Sequence, residues 1–390
     1  MSLLLDLSHT SHTRARTGIQ RVARAIHREL AGRAEAVCFD PYEGAWRPLE
    51  PWEERNLDAP DPAHGRASRW PPHARLRGRA RAFFHRAPPL AAQAPGTGGV
   101  LVPEIFSAEV AAALPALFAA TRGPRVALFH DALALQFPEF SPRSTSARFP
   151  AYLRELLQFD GVAAVSEASR GTLLGYWAWL GAARIPEVAA IPLGIDAPAD
   201  AGPSPATGMP LVLCVGSIEG RKNQLALLDA CEALWARNAR FELRLIGLAN
   251  RETGAPALQR LERLKAAGRP VRYDGPASDD ALDAAYRDCA FTVYPSVAEG
   301  FGLPVAESLA RGRPCLCRVR GALGEIARAG GCVDVGGASA AEIASAIGAL
   351  LSSPAELARL AAAARARTFK GWAQYAAELG SWMGSLRRDS

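Results

Sequence analysis

Lysine is nearly absent from this chain: across 390 residues it occurs only as Lys222, Lys265 and Lys370, so positive charge is carried almost wholly by arginine. A lysine in a loop therefore stands out. Cysteine is sparse and odd in number, seven residues at positions 38, 214, 231, 289, 315, 317 and 332 with no zinc-ligand spacing. That excludes a disulfide scaffold and a zinc module, and the thiols read as small buried hydrophobes in a reducing compartment. No apolar run approaches the roughly 20 residues that span a bilayer, and the opening MSLLLDLSHT meets Asp6 too soon for a signal-peptide core, so a cytoplasmic chain is expected. No Asp-x-Asp occurs, which removes the simplest metal–diphosphate ligand set. No G-x-G-x-x-G follows a first strand, which argues against a dinucleotide oxidoreductase.

What is present is an ordinary globular composition, 49% hydrophobic and 22% charged, in a length that suits two or three domains. Short apolar runs bounded by turn residues alternate with amphipathic stretches, the pattern of parallel strands and crossover helices. Strands are expected near 2–7, 36–39, 99–102, 125–129, 161–165 and 188–191, with helices notably over 18–30 and 168–179. The stretch APADAGPSPATGMP has no apolar period and reads as a linker. A second α/β series follows, with strands near 211–215, 242–246, 271–273, 290–294, 314–318 and 331–335, then three helices after Ala338. The expected organisation is a first Rossmann-like domain over 1–196 with a basic insertion at about 60–97, and a linker at 197–209. A second domain covers 210–368, and a terminal helix at 369–390 returns to the first. The fold class is α/β, two facing doubly wound domains with ligands at the carboxyl ends of the strands.

The net charge of +6 is concentrated in one place, Arg66 to Arg86, an acid-free and arginine-dense segment interleaved with Trp70, Phe83 and Phe84. It reads as a solvated insertion or as a surface for anionic lipid or a phosphorylated acceptor; nucleic acid is not the expected partner. His9 and His12 fall in a polar loop and read as structural.

The strongest chemical signal is the stretch from Ser296 to Glu307, EGFGLPVAE at its centre, directly after a strand ending at Tyr294. Glu299 lies in a glycine-flanked turn, Glu307 lies in the helix that Pro304 can start, and the amides of Gly300, Phe301 and Gly302 lie between them. Two carboxylates and an amide nest suit a polyhydroxylated, phosphorylated ligand. Upstream, Gly216, Ser217, Arg221 and Lys222 follow the first strand of the second series, and fixed cations there can meet a diphosphate. Gly18 opens a helix after the first strand of the chain. His130 follows an apolar strand beside Asp131.

Glu299 and Glu307 within EGFGLPVAE resemble the signature of glycosyltransferase family 4, the retaining GT-B enzymes of the glycosyl transferases group 1. The loop from Leu213 to Asn223, the Phe129-His-Asp131 segment, the segments around Ser166 and Gly194, and the Thr17-Gly-Ile-Gln-Arg-Val loop are similar to further parts of that family. The resemblance implies a hexosyltransferase using a GDP-sugar or UDP-sugar, with a growing polysaccharide or lipid-linked glycan as acceptor and mannose as one candidate sugar. It implies that Glu299 holds sugar hydroxyls, Glu307 the ribose, Arg221 and Lys222 the diphosphate, and that His130 orients the reacting face. Leu303 and the Gly300–Gly302 amides line the same donor pocket, with Gly18 near the phosphates. No metal or other cofactor is expected. The chain departs from the family in having Ser217 after Gly216 and Gly324-Glu325 where a Pro-Glu pair is frequent. A nucleotide-sugar epimerase or hydrolase of the same fold, and a catalytically silent scaffold, are the alternatives.

Overall fold

The computed structural model describes residues 3–59, 69–84, 90, 98–196 and 208–386. Residues 197–207 of the expected linker at 197–209, and the parts of the basic insertion at 60–68, 85–89 and 91–97, lie outside the described residues. Each apolar run forms a short parallel strand because both faces are covered by helices, so the runs need not alternate. The first sheet has seven strands in the order β3-β2-β1-β4-β5-β6-β7. These are β1 Leu3–Asp6, β2 Ala34–Asp40, β3 Ala45–Pro48, β4 Gly99–Val102, β5 Arg125–Phe129, β6 Gly161–Ala164 and β7 Glu187–Ala190. All pairs are parallel except β2 with β3, an antiparallel edge hairpin in which Phe39 faces Trp46. The second sheet has six parallel strands, β10-β9-β8-β11-β12-β13. They span β8 Leu211–Val215, β9 Glu242–Ile246, β10 Val271–Tyr273, β11 Phe291–Tyr294, β12 Cys315–Cys317 and β13 Cys332–Asp334. Each sheet packs its own core: Leu4, Val100, Phe129 and Trp177 in the first, Val212, Phe241, Phe291 and Leu316 in the second. The cysteines are free thiols, six of them buried, as expected.

The chain divides into two units, Met1–Leu135 with Ser144–Leu193 and Trp372–Ser390, and Gln136–Arg143 with Gly194–Gly371. The segment Gln136–Arg143, expected in the first domain, thus groups with the second. The terminal helix Trp372–Ser385 belongs to the N-terminal unit. There Trp382 Nε1 donates to Glu187 at 2.8 Å, and the helix lies so close over β6 that a Cβ on Gly161 would come within 2.6 Å of Leu386. No helix among the described residues is long and apolar enough to cross a membrane.

Strand β3 is not anticipated by the sequence, since Trp46-Arg47-Pro48 is too short and too polar to announce a strand. The basic segment is also more structured than a solvated insertion. Pro72–Phe84 is a helix whose buried face is Ala74 and Gly78. A Cβ on Gly78 would come within 2.9 Å of the Tyr42 Cβ, so glycine permits the close seating. Arg77 pairs with Glu50 at 3.1 Å and Arg81 with Glu43 at 3.5 Å, while Arg75 and Arg79 lie over the Tyr42 ring. The burial was hidden because its face is made of one alanine and one glycine, not of large apolar residues.

Candidate functional site

In doubly wound sheets ligands bind beyond the carboxyl ends of the strands where strand order reverses. In the C-terminal unit that point lies between β8 and β11. After β8 the chain passes through Gly216 at φ 148°, Ser217 and a one-turn 3-10 helix, Gly220–Lys222. Asn223 then takes the left-handed conformation and ties the turn down by donating to Ala338 O at 2.8 Å, before the helix Gln224–Trp235 begins. This turn presents Arg221 and Lys222 side by side to the loop that follows β11.

Glu299 is the centre of what they meet. Arg221 Nη1 lies 2.7 Å from its Oε2 and Lys222 Nζ 2.6 Å from its Oε1. Tyr294, the last residue of β11, donates its hydroxyl to Glu299 at 2.9 Å and accepts from Lys222, and the Ser296 hydroxyl also donates to Glu299. Arg221 further binds Glu219 at 2.9 Å and Ala298 O at 2.7 Å. Burial alone would raise the Glu299 carboxyl, but Arg221 and Lys222 outweigh it and pull it down to about 2. Burial pulls the Lys222 ammonium below its ordinary range, with Glu299 opposing. Two cations thus face two carboxylates.

The turn after Glu299 is shaped by glycine. Gly302 sits at φ 109°, and a Cβ there would lie 2.5 Å from Leu323, so no other residue fits. It leads into the helix Leu303–Ala310, whose first turn contains Pro304. Glu307 on that helix is 2% exposed, and the Tyr286 hydroxyl donates to it at 3.1 Å. The structure therefore brings Arg221, Lys222 and Glu299 into direct contact and sets Glu307 apart on the adjoining helix. Glu219, Tyr294, Ser296 and Tyr286 were not singled out in the sequence. A tyrosine ending a buried strand one loop from an acid was the available signal for Tyr294.

The two remaining predicted residues belong to the N-terminal unit. Gly18 is exposed at the first position of the helix Gly18–Glu29, and a Cβ there would meet nothing within 4 Å. Thr17 and Gln20 cap this helix start reciprocally. His130 follows β5, is 6% exposed, and its Nε2 lies 2.8 Å from Pro103 O. A carbonyl only accepts, so Nε2 carries the proton; burial also pulls the imidazole below its ordinary pKa. The ring is thus neutral, and Nδ1 is the acceptor left for a ligand.

His12 is a structural residue of the buried turn Thr10–His12. It is 1% exposed, stacked 4.1 Å from Trp70, and bonded through Nε2 to Glu53 at 2.6 Å. His12, Cys38 and Glu53 bring potential ligand atoms within 4.8 Å of one another. Arg47, however, binds both oxygens of Glu53 at 2.7 and 2.9 Å, so a guanidinium already supplies the cation and the cluster is structural.

Comparison with known proteins agrees with this architecture. Residues 200–367 match the family described as glycosyl transferases group 1. The chain is 24% identical over 349 residues to the serotype-specific mannosyltransferase WbdA of Escherichia coli, covering 81% of this chain and 38% of that protein. It is 29% identical over 206 residues to the O-antigen chain mannosyltransferase B of Escherichia coli, covering 49% of this chain and 52% of the relative. The chain thus spans about a third to a half of the curated relatives it matches. Among solved structures, HepE from Anabaena in complex with UDP and glucose superposes with a TM-score of 0.71 at 17% identity, covering 99% of this chain and 100% of that one. Sucrose-phosphate synthase from Thermosynechococcus elongatus gives 0.68 at 18% identity, with 99% of each chain covered. The fold is GT-B, two Rossmann-like units, and the match to the glycosyl transferases group 1 model is confined to residues 200–367.

Proposed function

We propose that this chain is a retaining, metal-independent glycosyltransferase that moves a hexose, mannose being the first candidate, from a GDP- or UDP-sugar to a growing glycan. The observation that carries the reading is the Arg221–Glu299–Lys222 cluster at the strand-order reversal of the C-terminal sheet. As the bond to the anomeric carbon lengthens, negative charge gathers on the β-phosphate, and fixed cations aimed there stabilise the transition state. The diphosphate takes Arg221 and Lys222 from Glu299, and the released carboxylate accepts hydrogen bonds from the hexose hydroxyls. Glu307 accepts the ribose hydroxyls, and the amides of Gly300, Phe301 and Gly302, with Leu303, Gly216 and Ser217, line the same pocket. The family resemblance assigns Gly18 to the donor phosphates and the neutral His130 to a sugar hydroxyl, accepted through Nδ1. The acceptor hydroxyl attacks on the face the phosphate leaves, and the departing phosphate oxygen takes its proton. The mannosyltransferase names of the relatives and the UDP of the structural neighbour support the donor class.

Thermal shifts against a panel of nucleoside diphosphates, followed by a transfer assay, test this. One nucleotide should raise the melting temperature, since it binds only the folded state, and donor turnover should need an acceptor glycan. Turnover to an epimer or free hexose without acceptor would favour the epimerase or hydrolase. No nucleotide binding would leave a scaffold.

The helix Pro72–Phe84 favours an accompanying reading. Leu76, Phe83 and Phe84 are 71%, 78% and 60% exposed, on the face opposite Ala74 and Gly78, with Arg75 and Arg79 flanking them. We propose that this face rests on the anionic inner surface of the cytoplasmic membrane, where a lipid-linked glycan acceptor is presented. Co-sedimentation with phosphatidylglycerol vesicles should occur at low salt and fall away at 1 M, where the Debye length shrinks to about 3 Å. Absence of binding at low salt would remove the membrane from the account.

A further inference from the structure

The N-terminal sheet also reverses its strand order, between β1 and β4. A cavity of about 450 Å³ opens there, with every lining residue in the N-terminal unit. Its size is that of a small-molecule site. Trp70 and Phe106 give it flat apolar walls, and Phe106 packs edge-on against Tyr152 at 5.0 Å.

Its polar groups are left partly unmatched. Asp6 ends β1 and is 2% exposed; its Oδ1 accepts from the Ser8 amide at 2.9 Å and the Ser8 hydroxyl at 2.5 Å. The Tyr152 hydroxyl is buried without a partner in a residue only 1% exposed. Nε and Nη1 of Arg148 are likewise unpartnered, although Nη2 binds Glu155. A buried polar atom left in this way costs free energy unless something supplies its hydrogen bond. Glu104 differs, since the His9 and Thr10 amides, each at 3.2 Å, already engage its carboxylate.

These groups select a chemical class. An apolar ligand would satisfy none of them. An anion would face Asp6, and a cation would face Arg148. A neutral ring bearing hydroxyls can donate to Asp6, accept from Arg148 and Tyr152, and lay its C–H face on Trp70 or Phe106. Burial also pushes the Asp6 carboxyl up to about 7, so near neutrality it can serve as acceptor or donor. The Pro103 carbonyl that holds His130 immediately precedes Glu104 in the cavity wall.

We propose that this cavity binds the terminal sugar ring of a neutral glycan acceptor, with Asp6, Arg148 and Tyr152 hydrogen-bonding its hydroxyls. The proposal rests on the glycosyltransferase reading and adds the acceptor's chemistry to it. Calorimetric titration of the full chain with α-mannotriose, maltotriose and mannose 6-phosphate tests it, with GDP and UDP titrated in parallel. One of the neutral glycans should bind. Tyr152→Phe should weaken it about two- to tenfold and Asp6→Asn about tenfold or more, both with unchanged nucleotide affinity. Because the hydroxyl has no partner in the free protein, Tyr152→Phe should melt no lower than the parent. Equal glycan affinity in both variants, or preference for mannose 6-phosphate, would overturn the proposal. Nucleotide binding without any glycan binding would overturn it while leaving the donor site standing; failure of the nucleotides as well would bring down the glycosyltransferase reading itself.

Discussion

The two sheets reverse strand order at corresponding places, between β1 and β4 and between β8 and β11, yet they set opposite chemistry there. At β8 and β11 two cations meet two carboxylates, Arg221 and Lys222 with Glu219 and Glu299. At β1 and β4 the walls include Phe39, Trp70 and Phe106, and Asp6, one of the acids there with Glu104 and Glu109, is held toward its protonated form by burial. On the proposed reading one topology thus offers an ion-paired point for a diphosphate and an aromatic-walled one for hydroxyls. The strand order fixes where a ligand sits; the loop residues fix what kind it is.

The largest expected break in this contrast is Lys222→Met. Removing a cation aimed at the leaving phosphate should lower the transfer rate about 100- to 1000-fold. Folding should persist, because Glu299 keeps Arg221 as a partner at 2.7 Å. Glu307→Ala comes next: loss of a buried carboxylate that accepts ribose hydroxyls should weaken nucleotide binding about ten- to a hundredfold by calorimetry.

The pH dependence of stability sharpens the contrast, because the two acids move in opposite directions. Glu299 is held at about 2 against an ordinary 4.5. Its contribution to stability is complete above about 4.5 and is lost as pH falls through about 2. Asp6 is held up to about 7 against 3.8, by burial first and then by Glu104, with Ser8 and His12 opposing. Here the folded state binds more protons, so this contribution is complete below 3.8 and is lost as pH rises through about 7. The difference in melting between Asp6→Asn and the parent should therefore be small below about pH 3.8, grow between there and about 7, and stay level above, with the variant the more stable. A constant difference across that range would contradict the assignment.

How much of this was legible in the sequence follows from how each site is assembled. The charged cluster is drawn from two short contiguous stretches, 219–222 and 294–307, so its residues can be read together on a printed line. The parallel strands were legible for a similar reason, since a strand buried on both faces is a bare apolar run. The N-terminal cavity draws on residues near 6–9, 39–41, 70, 104–110 and 144–152, five separated segments whose meeting only the fold creates. The helix Pro72–Phe84 was illegible because Ala74 and Gly78, its buried face, carry no hydrophobic signal. His12 was rightly read as structural, but its partner Glu53, 41 positions away, could not be named from the sequence.

The smallest expected effect is none at all: EDTA should leave transfer intact, since Arg221 and Lys222 meet the phosphate charge. Activity lost to EDTA and restored by magnesium or manganese would replace those cations with a metal in the mechanism. The most direct measurement titrates the preferred nucleoside diphosphate and the preferred neutral glycan, each into the parent protein and into Lys222→Met. The account predicts that the substitution weakens the nucleotide by at least about tenfold and leaves the glycan unchanged. Equal nucleotide affinity in both proteins would contradict it, because the cluster at β8 and β11 would then not be the diphosphate site.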